Sequence, residues 1–153
     1  MENRDYTIER LSLDEYEKCS SIWNMAKSPL TEPFRREIEA NNRIVYIYKI
    51  NSGFIAECAL VLEMQDPDYT IPGKRIYLSR LIVKKGCRNQ GIGGRLLEFM
   101  IQKAKEMGYH EISIGVDRDN KNALHLYQRY GFNEVLFEGE DEAGEYYKLL
   151  KRV

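Results

Sequence analysis

The chain has 153 residues, 43% of them hydrophobic, and its 23 Lys and Arg against 24 Asp and Glu give a net charge of −1. This length fits one domain, residues 1–153, that can bury a hydrophobic core without a metal ion or a disulfide. The balanced charge excludes a disordered acidic or basic chain and argues against a dedicated nucleic-acid-binding protein.

The first third of the chain predicts a short strand followed by two helices. The strand covers Tyr6 to Leu11. Ser12 and Glu15 form an S-x-x-E capping box, which predicts a helix start. Apolar residues recur behind this box at helical spacing until Pro29 interrupts them. A second short helix is expected after Thr31.

A hairpin and a further strand come next. Arg43 to Lys49 is rich in Ile, Val and Tyr, and Phe54 to Met64 is its predicted partner across the turn residues Asn51-Ser52-Gly53. Gln65 to Gly73 is expected to be a loop, and Arg75 to Val83 the next strand.

The second half predicts two helices and three strands. A long helix follows the loop near Ile92 and ends at Gly108, and Glu111 to Val116 is apolar enough to be a central strand. A shorter helix is capped by Asn120 and stops at Gly131. The chain closes with an antiparallel pair, Phe132–Phe137 and Tyr146–Leu150. The order β-α-α-β-β-β-α-β-α-β-β predicts an α/β fold class with a mixed sheet and helices on its faces.

The two signs of charge are segregated along the chain. Between Lys74 and Tyr109, nine basic and two acidic residues give a net charge of +7, whereas Glu134 to Glu145 has six acids and no Lys or Arg. Within the acidic segment, Glu138 to Glu145 is expected to be a hairpin turn. Either these acids attract a cationic ligand, or they are an ordinary solvated surface.

The cysteines and the apolar runs of the chain indicate in which cellular compartment the protein resides. Cys19, Cys58 and Cys87 form no C-x-x-C pair, and with two histidines they offer no zinc-site spacing. We therefore expect three reduced thiols, no metal, and a cytoplasmic protein. The mixed charges of Met1 to Asp5 predict that there is no signal peptide. The apolar run from Phe54 to Leu62 is too short to span a bilayer.

The polar segment before the long helix is rich in glycine and reads Arg88-Asn89-Gln90-Gly91-Ile92-Gly93-Gly94-Arg95. Unpaired N–H groups at a helix start, with glycines that let a ligand approach closely, form an anion site. A dinucleotide fingerprint would need glycine where Leu96 stands. A Walker loop would need Gly-Lys-Ser or Gly-Lys-Thr, where Gly94-Arg95-Leu96 stands. Neither motif is present.

The segment Ile76–Val83 with Arg88–Gly93 and the later segment Asn120–Phe132 together resemble the GNAT N-acetyltransferase superfamily. The strand Ile76–Val83 followed by Arg88–Gly93 resembles its acetyl-CoA-binding motif, R/Q-x-x-G-x-G/A. The segment Asn120–Phe132 resembles its second motif, N-x-x-A-x-x-L-Y-x-x-x-G-F. The two motifs occur in the family's order, separated by one helix and one strand. The resemblance implies a splayed central sheet and acetyl-CoA as cosubstrate.

The resemblance also implies which residues bind acetyl-CoA. The backbone of the strand end would pair with the pantetheine arm, and amides of the glycine loop would hold the pyrophosphate. Arg88 either adds charge near the nucleotide or is a solvated loop residue. Asn120 caps its helix, contacts CoA, or does both. The predicted cofactor-binding set is Leu81, Ile82, Val83, Arg88, Asn89, Gln90, Gly91, Ile92, Gly93, Gly94, Arg95 and Asn120.

The family's catalytic groups map onto this sequence in part. A backbone N–H near Leu81 or Ile82 matches the oxyanion donor, and Tyr127 matches the general acid that protonates the departing thiolate. Because the chain has eleven tyrosines, packing is the simpler role for one at helical spacing.

No acid lies between Arg75 and Val83, where some members of the family carry a Glu. Glu57 is the best replacement as general base, acting through a water molecule, although a solvent-facing strand residue is the simpler interpretation. Asp66 and Asp68 are looser candidates for the base.

We expect an acetyl-CoA-dependent N-acetyltransferase with a small-molecule primary amine as acceptor. We expect no nucleic-acid or membrane partner, and a homodimer is left open. The alternative within the enzyme class is a protein or peptide amine acetyltransferase. The alternative from another class is a non-catalytic CoA-binding regulatory module.

Overall fold

A computed structural model describes residues 5–153 and shows a mixed sheet with helices. The strands are β1 (Thr7–Arg10), β2 (Arg43–Ile50), β3 (Gly53–Val61), β4 (Arg75–Val83), β5 (Glu111–Asp117), β6 (Glu134–Asp141) and β7 (Gly144–Arg152). The α-helices are α1 (Thr31–Glu39), α2 (Ile92–Glu106) and α3 (Lys121–Arg129). The strand order is β1-β2-β3-β4-β5-β7-β6, in which β4 and β5 pair in parallel. The predicted α/β class is confirmed.

The start of the chain is only partly described. Residues 1–4, to which the prediction of no signal peptide applies, lie outside the described residues. Among residues 5–153, no helix combines the length and the apolar character that a membrane crossing requires. Cys19, Cys58 and Cys87 form no disulfide among residues 5–153. That all three thiols are reduced stays a prediction. The cytoplasmic location stays a prediction.

The segment after β1 is wound more tightly than the capping box predicted. Leu13–Ser21 forms a 3₁₀ helix, and a second, Met25–Lys27, precedes α1. The Ser12 hydroxyl donates to the Asp14 and Glu15 carboxylates, at 2.5 and 3.3 Å, and makes no cap to a backbone N–H. The hydroxyl is turned toward these two acids, and its oxygen accepts no bond from an N–H of the first turn. The predicted second helix after Thr31 is confirmed as α1.

Contacts divide the chain into two compact units, Met1–Leu60 with Arg80–Met100 and Val61–Ser79 with Ile101–Val153. In the first unit, the 3₁₀ helix covers the hairpin of β2 and β3. Asn51 and Ser52 turn this hairpin with φ of 52° and 67°, the left-handed pair of a type I′ turn. The shared core of this unit is Leu11, Tyr16, Cys19, Ile22, Met25, Val45, Ile47, Phe54 and Ala59.

In the second unit, β5 pairs along its whole length with β7 and over three residues with β4, from Arg75–Glu111 to Tyr77–Ser113. A buried carboxylate fixes this end of β5. Glu111 accepts from Arg75 Nε at 2.9 Å and from Arg152 Nη1 at 2.8 Å, which joins the three strands at one point.

The acidic segment Glu138–Glu145 is not the hairpin turn that we expected. Strand β6 continues to Asp141 and β7 begins at Gly144, so only residues 142 and 143 form the turn. Exposed edge strands tolerate charge, and β6 is the last strand in the sheet order. Glu145 forms an ion pair with Arg118.

Candidate functional site

The backbone between β4 and α2 contains left-handed residues, a feature typical of anion-binding loops. Asn89 and Gly91 both have left-handed φ, 63° and 80°, on either side of Gln90. Such alternation turns successive N–H groups toward one concavity. Asn tolerates this conformation better than most side chains do, and Gly adopts it freely. Arg88 Nε donates to the Val83 carbonyl at 3.1 Å and so closes the loop against the end of β4.

The first turn of α2 is poorly suited to helix formation and well suited to an anion. It contains Gly93 and Gly94, each costing about 1 kcal/mol relative to Ala in a helix interior, and no acid that would favour the positive helix end. It contains instead a cation, Arg95. The N–H groups that open a helix have no carbonyl one turn before them. The Arg95 N–H is already bonded to the Gly91 carbonyl at 3.1 Å.

Strand β4 changes conformation just before the residues predicted to pair with pantetheine. Arg80 has φ of 60°, a left-handed value that breaks the extended backbone of the strand. Leu81, Ile82 and Val83 follow it and are partly exposed. Non-glycine residues adopt such angles at a cost, and they concentrate at functional sites. The sequence contains no glycine here that would have signalled this irregularity.

Glu57 does not face solvent, which overturns the simpler of its two interpretations. It is 6% exposed, because β3 lies between two other strands and is buried from Ala56 to Val61. Trp23 Nε1 donates to its Oε1 at 2.8 Å. Burial raises the pKa of Glu57, against the opposing effects of the Trp23 and Cys19 hydrogen bonds and of nearby arginine charges. A carboxyl with a raised pKa near an aromatic side chain is a typical general base.

The charges of two arginines, Arg80 and Arg43, act on this carboxyl, and each arginine lies over an aromatic ring. The Arg80 guanidinium lies 4.6 Å from the Trp23 ring centroid and 5.4 Å from that of Phe34. Arg43, which also lies over Phe34, is held by the Glu37 carboxylate at 2.7 Å. In the sequence, Trp23 is one of the apolar residues at helical spacing after the capping box, and Arg80 was not predicted to take part in the site. Their sequence positions carried no motif, and only the packing places them beside Glu57.

Asp66 and Asp68, the looser candidates for the base, are already paired. Lys148 Nζ donates to Asp66 Oδ2 at 2.6 Å and to Asp68 Oδ2 at 3.2 Å. The hydrogen bond from Lys148 holds the pKa of Asp66 below its ordinary value. A carboxylate stabilised in this way is a weak proton acceptor. Glu57 therefore suits the role of base better than either aspartate.

The second unit contains the other motif. Asn120 Oδ1 accepts from the Ala123 N–H at 3.3 Å, so its predicted capping role is confirmed and its contact with CoA stays a prediction. Tyr127 is buried, with its ring 6.0 Å from that of Phe132 and its carbonyl bonded to the Phe132 N–H. Packing of Tyr127 is thus observed, and its role as an acid stays a prediction.

Comparison with known proteins identifies this combination of elements. Residues 6–132 match the model of the Acetyltransferase (GNAT) family. N-acetyltransferase 8 of Homo sapiens is 27% identical over 129 residues, which are 75% of this chain and 55% of that protein. The spermine/spermidine N(1)-acetyltransferase of Bacillus subtilis (strain 168) is 31% identical over 80 residues, 48% of this chain and 53% of that enzyme. The chain thus spans about half the length of these curated relatives.

The fold is shared with solved structures. A GNAT family acetyltransferase from Elizabethkingia anophelis, solved with acetyl-CoA bound, superposes with a TM-score of 0.70 over 97% of this chain and 98% of that one, at 21% identity. At this identity the likeness concerns the fold alone.

Proposed function

Because the chain belongs to the acetyltransferase (GNAT) family, we propose that it transfers the acetyl group of acetyl-CoA to a primary amine. The observation that carries this proposal is the first turn of α2. The two glycines in this turn reduce helix stability. The absence of an acid from the turn and the left-handed loop before it favour an anion such as a pyrophosphate. We assign the pyrophosphate to the amides of Gln90 to Gly94, and the pantetheine arm to the backbone of Leu81–Val83.

The chemical step requires that two protons move. The amine nitrogen attacks the thioester carbonyl, the carbon–sulfur bond breaks, and the products are an amide and free CoA. The amine gives up a proton to a base, and the departing thiolate receives one from an acid. A backbone N–H near Leu81 or Ile82 stabilises the carbonyl oxygen while it carries negative charge.

We assign the acid to Tyr127 from its place in the family motif and the base to Glu57 from its burial. A tyrosine near pKa 10 that protonates a thiolate near 8.5 works uphill by about 2 kcal/mol, which a hydrogen-bonded transfer tolerates. Glu57 lies on a rigid central strand, and Trp23 fixes one of its oxygens. A base in this position acts through a water molecule that bridges to the amine.

We propose a small primary amine as the acceptor, in the cytoplasm. One matched relative is named for spermine and spermidine. The exposed acids Glu138 and Glu140 along β6 raise the local concentration of a cationic amine. A release assay for CoA, run over polyamines, aminoglycosides, amino acids and N-terminal peptides, should give turnover with the cationic small amines. Turnover with peptides alone would favour the N-terminal acetyltransferase alternative. CoA binding without turnover on any acceptor would favour the regulatory module.

The binding site itself is tested by placing a charge on the loop. Gly93→Asp should weaken CoA binding at least about tenfold, because it puts a carboxylate where a phosphate is expected. An acid in the first turn also stabilises a helix, so the variant should fold. Calorimetry gives the affinity, and circular dichroism the folded state.

Gly93→Asn is the matched control, because it has the same shape without the charge. It should weaken CoA binding clearly less than Gly93→Asp does. If the wild type and Gly93→Asp bind CoA with equal affinity, the assignment of the pyrophosphate to this loop is wrong.

A further inference from the structure

Arg95 extends its side chain back over the glycine loop. Its Nη2 donates to the Gln90 carbonyl at 3.3 Å, and a side chain at Gly91 would place its Cβ 3.1 Å from Nη1. A side chain at position 91 would crowd the guanidinium, and the φ of 80° there also favours glycine. The charge of this arginine therefore lies against the segment that we assign to the pyrophosphate.

A buried tyrosine holds the guanidinium in that place. Arg95 Nε donates to the Tyr48 hydroxyl at 3.1 Å, and Tyr48 is 1% exposed. Tyr6 stacks on Tyr48 with ring centroids 4.5 Å apart, and the Arg95 Cζ lies 5.5 Å from the Tyr6 centroid, within cation–π range. Two hydrogen bonds and a cation–π contact thus hold one long, exposed side chain.

We propose that Tyr48 is a positioning residue, which orients the Arg95 guanidinium to bind the diphosphate of acetyl-CoA. The inference deepens the proposed function and rests on it. It assigns to Arg95 a contact through its side chain, whereas the family motif implied one through its amide. It also gives a role to Tyr48, a residue of β2 that lies outside both motifs.

The packing of α2 on β2 explains how the hydroxyl reaches the arginine. Tyr46 and Phe99 meet edge to face at 5.1 Å, in the same pair of elements. Two residues along a strand and four along a helix each advance about 6 Å, so Tyr48 meets Arg95 as Tyr46 meets Phe99. The contact follows from the register of helix on strand.

Charge placement argues that Arg95 has a ligand. A cation in the first turn of a helix opposes the helix dipole, and no acid of that turn compensates it. Arginine has five N–H donors, and among residues 5–153 only those to Tyr48 and Gln90 are used. The remaining donors suit a diphosphate, which arginine binds in a fork. A side chain that is ordered before binding loses less conformational entropy when the ligand arrives.

The proposal is tested by calorimetric titration of CoA and 3′-dephospho-CoA into four proteins. These are the wild type, Tyr48→Phe, Arg95→Met and the double variant. Arg95→Met should weaken both ligands about tenfold and equally, since both contain the diphosphate. Tyr48→Phe should weaken them about three- to fivefold, and the double variant no more than Arg95→Met, because Tyr48 acts through Arg95. The salt dependence of binding should fall in Arg95→Met, which a purely structural role would not produce.

Tyr46→Phe is the matched control, since it removes a hydroxyl from the same strand, facing the same helix, without a hydrogen bond to Arg95. It should leave both affinities unchanged. Additive losses in the double variant, or Tyr48→Phe affinities equal to wild type, would overturn the positioning role. A loss seen with CoA and absent with 3′-dephospho-CoA would overturn the diphosphate contact. If the wild type binds neither ligand, the proposed function fails, which is a distinct result.

Discussion

Replacement of Tyr127 by Phe should lower kcat by about 10²–10⁴-fold, the loss typical of a removed general acid. The phenyl ring keeps the contact with Phe132, at 6.0 Å in the structure, so the melting temperature and the CoA affinity should stay close to those of the wild type. We expect kcat to fall without a change in affinity or stability because the hydroxyl proton is needed only when the thiolate departs. Steady-state kinetics with a saturating acceptor, together with calorimetry and thermal unfolding, separate the three quantities.

Tyr130→Phe is a matched control for this variant. Tyr130 follows the same helix by one residue and is partly buried, yet it occupies a variable position of the family motif. Its kcat should equal that of the wild type. If Tyr127→Phe also retains full kcat, water or another group protonates the thiolate, and Tyr127 is a packing residue.

Replacement of Glu57 by Gln should also lower kcat strongly, by about 10²-fold or more, because the amide cannot accept the amine proton. Burial raises the pKa of Glu57 above its ordinary 4.5, so the wild-type rate should rise with pH as this carboxyl loses its proton. Glu57→Gln should lack that limb of the profile. The difference in kcat between the wild type and Glu57→Gln should become smaller at high pH, because more of the acceptor then arrives as the neutral amine. Rates measured from roughly pH 5 to pH 9 test both features.

The same substitution should not destabilise the protein at pH 7. A raised folded-state pKa means that the unfolded chain ionises first, so stability falls as pH rises from about 4.5 through the folded pKa. Glu57→Gln removes this loss, while the Trp23 N–H can still donate to the amide oxygen. We expect a melting temperature equal to or above that of the wild type at pH 7, and a smaller difference at pH 4.

Asp66→Asn and Asp68→Asn are the controls for the assignment of the base. Both aspartates are paired with Lys148, so each variant should keep kcat within a fewfold of the wild type. A larger loss in either one than in Glu57→Gln would transfer the role of base to that aspartate. Loss of activity in Glu57→Gln together with a lower melting temperature would point to a structural role for Glu57.

Local sequence determined most of the fold and the part of the candidate site that we assign to the pyrophosphate. Strand β4, α1 and the cap by Asn120 follow from residue types over a few positions, because alternation, turn residues and capping are local interactions. The glycines before and inside α2 likewise predicted an anion site. The capping box at Ser12 marked the helix start correctly, but its side-chain cap did not form, because the hydroxyl is turned toward Asp14 and Glu15.

Tertiary structure alone decided which acidic side chain is suited to be the base and which arginine faces the loop. In the sequence, Glu57 has the pattern of an ordinary strand residue. In the structure its side chain is buried and bonded to Trp23, which lies 34 residues earlier in the chain, in the turn between the two 3₁₀ helices. Arg95 and Tyr48 are 47 residues apart and meet because α2 crosses β2 in one register. A pKa depends on all the groups that surround a carboxyl, and a guanidinium's direction depends on its partners. Neither property is encoded in the spacing of neighbouring residues.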